Sequence, residues 1–136
     1  MPAATSPVFA NPVFAAVDTI DLAAAQNLCR MLKGAVGGVK LGLEFFVANG
    51  PAGVRAAAAE FDLPLFLDLK LHDIPNTVAG AVRASLPLAP AFLTIHASGG
   101  PAMIEAAAKT AALAGECRPR ILAVTVLTSL DDGDLA

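Results

Sequence analysis

Five short apolar runs punctuate the chain and read as strands: Val13 to Val17, Gly38 to Leu41, Leu65 to Lys70, Phe92 to Ala97 and Ile121 to Leu127. The third is the plainest. Leu63-Pro64-Leu65-Phe66-Leu67 is continuously apolar, as expected of a strand covered on both faces of a parallel sheet. Between the runs the apolar spacing becomes helical. Asp21 is placed to cap a first helix whose Leu22, Ala25, Cys29 and Leu32 share one face. Leu43 to Asn49 and Pro51 to Phe61 form a second helical region, interrupted at Gly50-Pro51. Asn76 is placed to cap a third helix running to Ser85, with Val78, Ala81 and Val82 toward the sheet. Ser98-Gly99-Gly100-Pro101 opens a fourth, alanine-rich helix that ends at Gly115.

Strand and helix in alternation predict an α/β fold with a parallel sheet, either open and doubly wound or closed into a (β/α)8 TIM barrel. Polar residues fall at or just past the carboxyl ends of the strands: Asp18, Lys40, Asp68 with Lys70, His96 and Thr128. In a barrel those ends ring a single mouth, where active sites of that fold are built. An open sheet would spread them along a line, and one that held a dinucleotide would carry a glycine-rich loop after its first strand. Asp18-Thr19-Ile20-Asp21 stands there instead, which favours the barrel. A complete barrel needs about 250 residues. Residues 1–136, with about five of the eight strands, are therefore expected to form the N-terminal part of one barrel domain whose C-terminal part is absent. Ser129 to Ala136 reads as the start of a further helix with Ser129 as its cap.

Composition narrows the function classes. Hydrophobic residues make up 56% and charged residues 15%, which indicates a buried core and not a disordered chain. The net charge of −3, with no lysine or arginine cluster among aromatics, gives no expectation of a nucleic-acid partner. No run of about 18 apolar residues is present to span a bilayer. Met1 to Asp18 lacks the basic start and long apolar stretch of a signal peptide, so a cytoplasmic location is expected. Cys29 and Cys117 are far apart with no second cysteine near either, and read as small core residues in a reducing compartment and not zinc ligands.

The chemistry is expected in Asp68-Leu69-Lys70-Leu71-His72-Asp73-Ile74-Pro75-Asn76-Thr77, where charges of alternating sign end an apolar strand. Alternation puts Phe66, Asp68 and Lys70 on one face and Leu65, Leu67 and Leu69 on the other. A carboxylate and an ammonium then point the same way, and neither is usually buried without a partner or a task. A structural ion pair and a reactive array both satisfy that pattern.

This ten-residue stretch resembles the signature of the bacterial orotidine 5'-phosphate decarboxylases. Ala16-Val17-Asp18, Val39-Lys40-Leu41-Gly42 and Val124-Thr125-Val126-Leu127-Thr128-Ser129 resemble the same family in the same order, so the likeness runs from Val13 onward. It implies decarboxylation of orotidine 5'-monophosphate to uridine 5'-monophosphate in pyrimidine synthesis, with neither metal nor organic cofactor. It implies Lys70 as proton donor in a charge network with Lys40, Asp68 and Asp73. It also implies a homodimer in which Asp73 and Thr77 reach the neighbouring subunit's site. Asp18, Lys40, Asp73 and Thr77 would contact ribose hydroxyls, Ile74 would join the substrate-binding set with Asp68 and Lys70, and Thr128 would lie near the pyrimidine. The family's phosphate-gripping arginine and its closing, glutamine-bearing loop would follow Ala136, so the chain alone is expected to be inactive or nearly so.

Other readings weigh against this one. Glu44 with Asp68 could hold magnesium, as in related sugar-phosphate decarboxylases and synthases of the same barrel superfamily, but Lys40 and Lys70 already neutralise the carboxylates. A Schiff-base aldolase using Lys70 or Lys40 would need a depressed lysine pKa, which Asp68 and Asp73 oppose. A truncated, non-catalytic assembly fragment is the third reading. His72 and His96 fit loop and structural roles as well as the mouth of the barrel. Ser98-Gly99-Gly100 fits a tight turn better than a phosphate cradle.

Overall fold

The protein is described by a computed structural model covering residues 11–60 and 62–135. Its principal elements are β1 (Phe14–Ala16), α1 (Leu22–Leu32), β2 (Gly38–Gly42), α2 (Leu43–Ala58), β3 (Leu65–Leu71), α3 (Pro75–Ser85), β4 (Phe92–His96), α4 (Pro101–Ala111) and β5 (Arg120–Val124). Every strand pairs in parallel with the next, in the spatial order β1-β2-β3-β4-β5. That order decides between the two architectures. A doubly wound sheet reverses its strand order at a switch point. Here each strand adds to the same edge, as in the wall of a (β/α)8 barrel of which these five strands form an incomplete part.

The wall has two unlike faces. Val39 and Leu41 of β2, Leu65, Leu67 and Leu69 of β3, and Leu93 and Ile95 of β4 form the core with Ala25 and Cys29 of α1, Phe45 and Val54 of α2, Val78 and Val82 of α3, and Met103 and Ala107 of α4. Burial of such aliphatic side chains, about 1.5–3 kcal/mol each, holds the sheet to its helices. At the strand starts of the inner face, the rings of Phe14, Phe66 and Phe92 cluster with centroids 5.4, 5.6 and 6.1 Å apart. Gly38 makes room for this: a Cβ there would collide with the Phe14 ring and the Pro64 carbonyl.

Local signals explain most helix boundaries. The Asp21 carboxylate accepts the Ala24 N–H at 2.9 Å and caps α1, as its sequence predicts. Helix α2 breaks at Gly50, whose φ of 61° precedes Pro51. Phe61, the expected end of that region, lies outside the described residues.

Three expectations are corrected. Asn76 does not cap α3; the cap position is Ile74, because Pro75, with no N–H to lose and its φ preset, takes the first helical turn. Strand β5 ends at Val124 and not at Leu127, leaving Val126 to Ser129 to turn beside the strand ends. Ser129 does not start a helix either. Asp131 accepts the Gly133 and Asp134 N–H groups at 2.8 and 3.2 Å while Asp134 accepts the Asp131 N–H at 3.1 Å, a reciprocally bonded turn two residues later.

Candidate active site

The inner face of β3 presents Phe66, Asp68 and Lys70 in succession, and all three line one cavity of about 570 Å³. Lys40 from β2, Thr94 from β4, Leu122 to Val124 from β5, and Val126 to Ser129 complete its wall. The alternation read from the sequence is thus realised, with Leu65, Leu67 and Leu69 buried on the opposite side.

Asp68 is the hub. It is 8% exposed, and its Oδ2 accepts the Lys40 Nζ at 3.1 Å while its Oδ1 accepts the Lys70 Nζ at 2.9 Å. Oδ1 also accepts the Thr94 hydroxyl at 2.9 Å. Burial alone would push this carboxyl upward; the hydrogen bonds from Lys70, Thr94 and Lys40, with the Lys70 charge, outweigh it and hold Asp68 below its ordinary range. An anion with two cations on opposite oxygens is fixed in place, and so are the cations.

The backbone bends to make this array. Strand β3 pairs regularly with β4 at Phe66 and Leu67, then resumes at Leu71 opposite Ile95, so residues 68–70 stand across from Thr94 alone. Lys70 adopts a left-handed φ of 49°, unusual for a non-glycine residue. Its N–H donates to the Thr94 hydroxyl at 2.9 Å.

The remaining candidates fall into two groups. Thr128 lines the cavity. Asp18, just past β1, is exposed and does not line it. Asp73, Ile74 and Thr77 lie exposed where β3 leads into α3. The Asp73 carboxylate accepts the Ile74 N–H at 2.6 Å and does not join the Lys40, Asp68 and Lys70 array within this chain. Glu44 is exposed in the first turn of α2. The rings of His72 and His96 pack at 5.3 Å. Gly100, with a φ of 84°, forms a turn in front of Pro101 at the start of α4, as the Gly-Gly pair suggests.

Two features escaped the sequence reading. Thr94 is 2% exposed and joins Asp68 to Lys70. Phe14 and Phe92 pack with Phe66 at the inner strand starts. A signal existed for both: alternation in Phe92-Leu93-Thr94-Ile95-His96 puts Phe92, Thr94 and His96 on one face, and a threonine between core aliphatics is short of partners unless it faces a polar group.

A one-way parallel wall with a paired ammonium and carboxylate array at its strand ends defines a barrel-type protein with a polar, substrate-sized mouth. The chain belongs to the Orotidine 5'-phosphate decarboxylase / HUMPS family, whose model matches residues 11–136. It is 57% identical over 129 residues to the orotidine 5'-phosphate decarboxylase of Rhodospirillum rubrum, covering 92% of this chain and 52% of that protein. It is 57% identical over 125 residues to the enzyme of the same name from Paramagnetospirillum magneticum, covering 89% and 53%. Among solved structures, the orotidine 5'-phosphate decarboxylase of Lactobacillus acidophilus superposes with a TM-score of 0.81 at 35% identity, over 92% of this chain and 57% of that one. The chain spans about half the length of the curated relatives it matches.

Proposed function

We propose that this chain carries the charged half of an active site that decarboxylates orotidine 5'-monophosphate to uridine 5'-monophosphate, with Lys70 as the proton donor. The observation that carries the proposal is the Lys40, Asp68 and Lys70 array facing the cavity, in a chain of this family. Loss of carbon dioxide from a ring carbon leaves an electron pair behind. A site without an electron-sink cofactor must stabilise that charge and then protonate it, and a fixed ammonium does both. Holding the donor in line with the reacting carbon contributes on the order of 7–11 kcal/mol in favourable cases. Asp68 beside the substrate carboxylate would repel it, a repulsion relieved when neutral carbon dioxide leaves.

The donor set favours this chemistry over the superfamily's metal-assisted alternative. Both oxygens of Asp68 are occupied by ammonium groups. In the same proposal Asp18, Thr128 and Ile74 bind substrate. Asp73, exposed between β3 and α3, and Thr77, exposed in the first turn of α3, reach the site of a second copy in a homodimer. A cytoplasmic setting accords with the free Cys29 and Cys117, and no helix among the described residues is long and apolar enough to cross a membrane.

The test is the loss of orotidine 5'-monophosphate absorbance, run on this chain and on the protein extended through any continuing reading frame. Turnover by the extended protein alone is expected, because a phosphate grip supplies binding energy used at the distant carbon. No turnover by a folded, extended protein would overturn the proposal and return the site to sugar-phosphate chemistry.

A further inference from the structure

We propose that Thr94 is the positioning residue for Lys70: its hydroxyl ties the Lys70 amide to the Asp68 carboxylate and so fixes where the ammonium stands. The proposal deepens the decarboxylase reading and rests on it for its catalytic consequence, while its geometry stands apart.

The hydroxyl uses both of its capacities. It accepts the Lys70 N–H at 2.9 Å and donates its own proton to Asp68 Oδ1 at 2.9 Å. The same Oδ1 accepts the Lys70 Nζ at 2.9 Å. Both ends of Lys70, amide and ammonium, are therefore held by one connected pair of groups, and the loop closes through two strands. A lysine side chain otherwise has four freely rotating bonds and samples many positions.

Backbone geometry adds a second reason. Residues 68–70 stand opposite Thr94 where the ladder between β3 and β4 loses its register, so a side-chain hydroxyl takes the place of a strand carbonyl as acceptor for the Lys70 N–H. A left-handed φ at a non-glycine residue persists only when its surroundings over-determine it. Thr94, buried at 2% exposure between Leu93 and Ile95, both 0% exposed, is the surrounding that does so. Serine could make the same bonds; valine, of equal shape, could make none of them.

The experiment compares Thr94→Val and Thr94→Ser with the parent in the full-length protein, by three readouts. Thr94→Val is expected to lower kcat by on the order of 10- to 100-fold, the scale of a small misplacement of a reacting group, with KM within about threefold. Thr94→Ser is expected to restore most of it. In a carbon-detected NMR titration the Asp68 carboxyl is expected to titrate higher in Thr94→Val than in the parent, and to return in Thr94→Ser. Hydrogen exchange at the Lys70 amide is expected to be slow in the parent and in Thr94→Ser. Unchanged kcat and unchanged Asp68 titration in a folded Thr94→Val would overturn the proposal, as would a Thr94→Ser variant as impaired as Thr94→Val. If Thr94→Val does not fold, the parent decides: a Lys70 amide exchanging as fast as an exposed one overturns the proposal, and a protected one supports it. Should even the parent fail to turn over orotidine 5'-monophosphate, the decarboxylase reading falls while the titration and exchange still judge Thr94.

Discussion

The two faces of β3 obey opposite rules. Outward, Leu65, Leu67 and Leu69 are buried at 4, 0 and 6% exposure among aliphatic neighbours, with no polar group to satisfy. Inward, Phe66, Asp68 and Lys70 pass from an aromatic cluster to a buried carboxylate to a lysine with left-handed backbone, across a break in the strand ladder. One strand thus carries stability on one side and an unfavourable arrangement on the other. The apolar face anchors the strand, so that the inner face can hold charges together at an angle a free chain would not choose.

The comparison is broken most severely from the inner side. Under the proposed reaction, Lys70→Ala is expected to lower turnover of the extended protein by about 10⁴-fold or more, since it would remove both the proposed proton donor and the charge proposed to face the nascent carbanion. Fold is expected to persist by circular dichroism. Turnover within tenfold of the parent would remove Lys70 from the chemistry.

From the outer side the effect is on stability. Leu67→Ala, at a fully buried position, is expected to cost about 2–5 kcal/mol in urea unfolding. A cost below about 1 kcal/mol would mean that the outer face does not anchor the strand.

The strain at Lys70 can be isolated by comparing two variants that both lack the ammonium. Lys70→Gly is expected to be about 1 kcal/mol more stable than Lys70→Ala, because only glycine accepts a φ of 49° without a steric cost. An alanine variant more stable than the glycine variant by about 0.5–1 kcal/mol, glycine's ordinary entropic disadvantage, would show the position to be unstrained.

Acid gives a gentler probe. Asp68 is depressed in the folded state, so its contribution is complete above the unfolded carboxyl pKa of about 3.9 and is lost as pH falls through the lower folded value. Unfolding free energy of the parent is expected to fall more steeply below about pH 4 than that of Asp68→Asn. Parallel curves would contradict the pairing.

The smallest effect concerns the helices behind the outer face. Cys29 is 0% exposed, and burial, with the nearby Glu60 charge, pushes its thiol up to about 11. Cys117 is exposed, and not the core residue its sequence suggests. One thiol per native chain is expected to react with a disulfide reagent at pH 8 and two after unfolding; two in the native state would mean that α1 opens readily.

Much of this was legible in the residues. The five strand positions, the alternation that sends Asp68 and Lys70 to one face, the cap at Asp21 and the break at Gly50-Pro51 all follow from short-range spacing, and the structure keeps them. The polar strand ends that favoured a barrel converge only in part: Lys40, Asp68, Lys70 and Thr128 line one cavity, while Asp18 and His96 do not. At Pro75 the sequence misled, because an asparagine beside a proline reads as a cap when the proline itself opens the helix.

What the sequence determined by itself was therefore the set of elements and the faces they present, since both come from periods of two and 3.6 residues and from groups within a few positions of each other. The tertiary structure alone decided the one-way strand order, the Phe14 ring seated over Gly38, and the two bonds of the Thr94 hydroxyl. Those bonds join residues 24 and 26 positions apart. No local pattern encodes a contact at that separation; it exists because packing brings β3 and β4 side by side and leaves a buried carboxylate and an unpaired ladder amide with the same nearest hydroxyl.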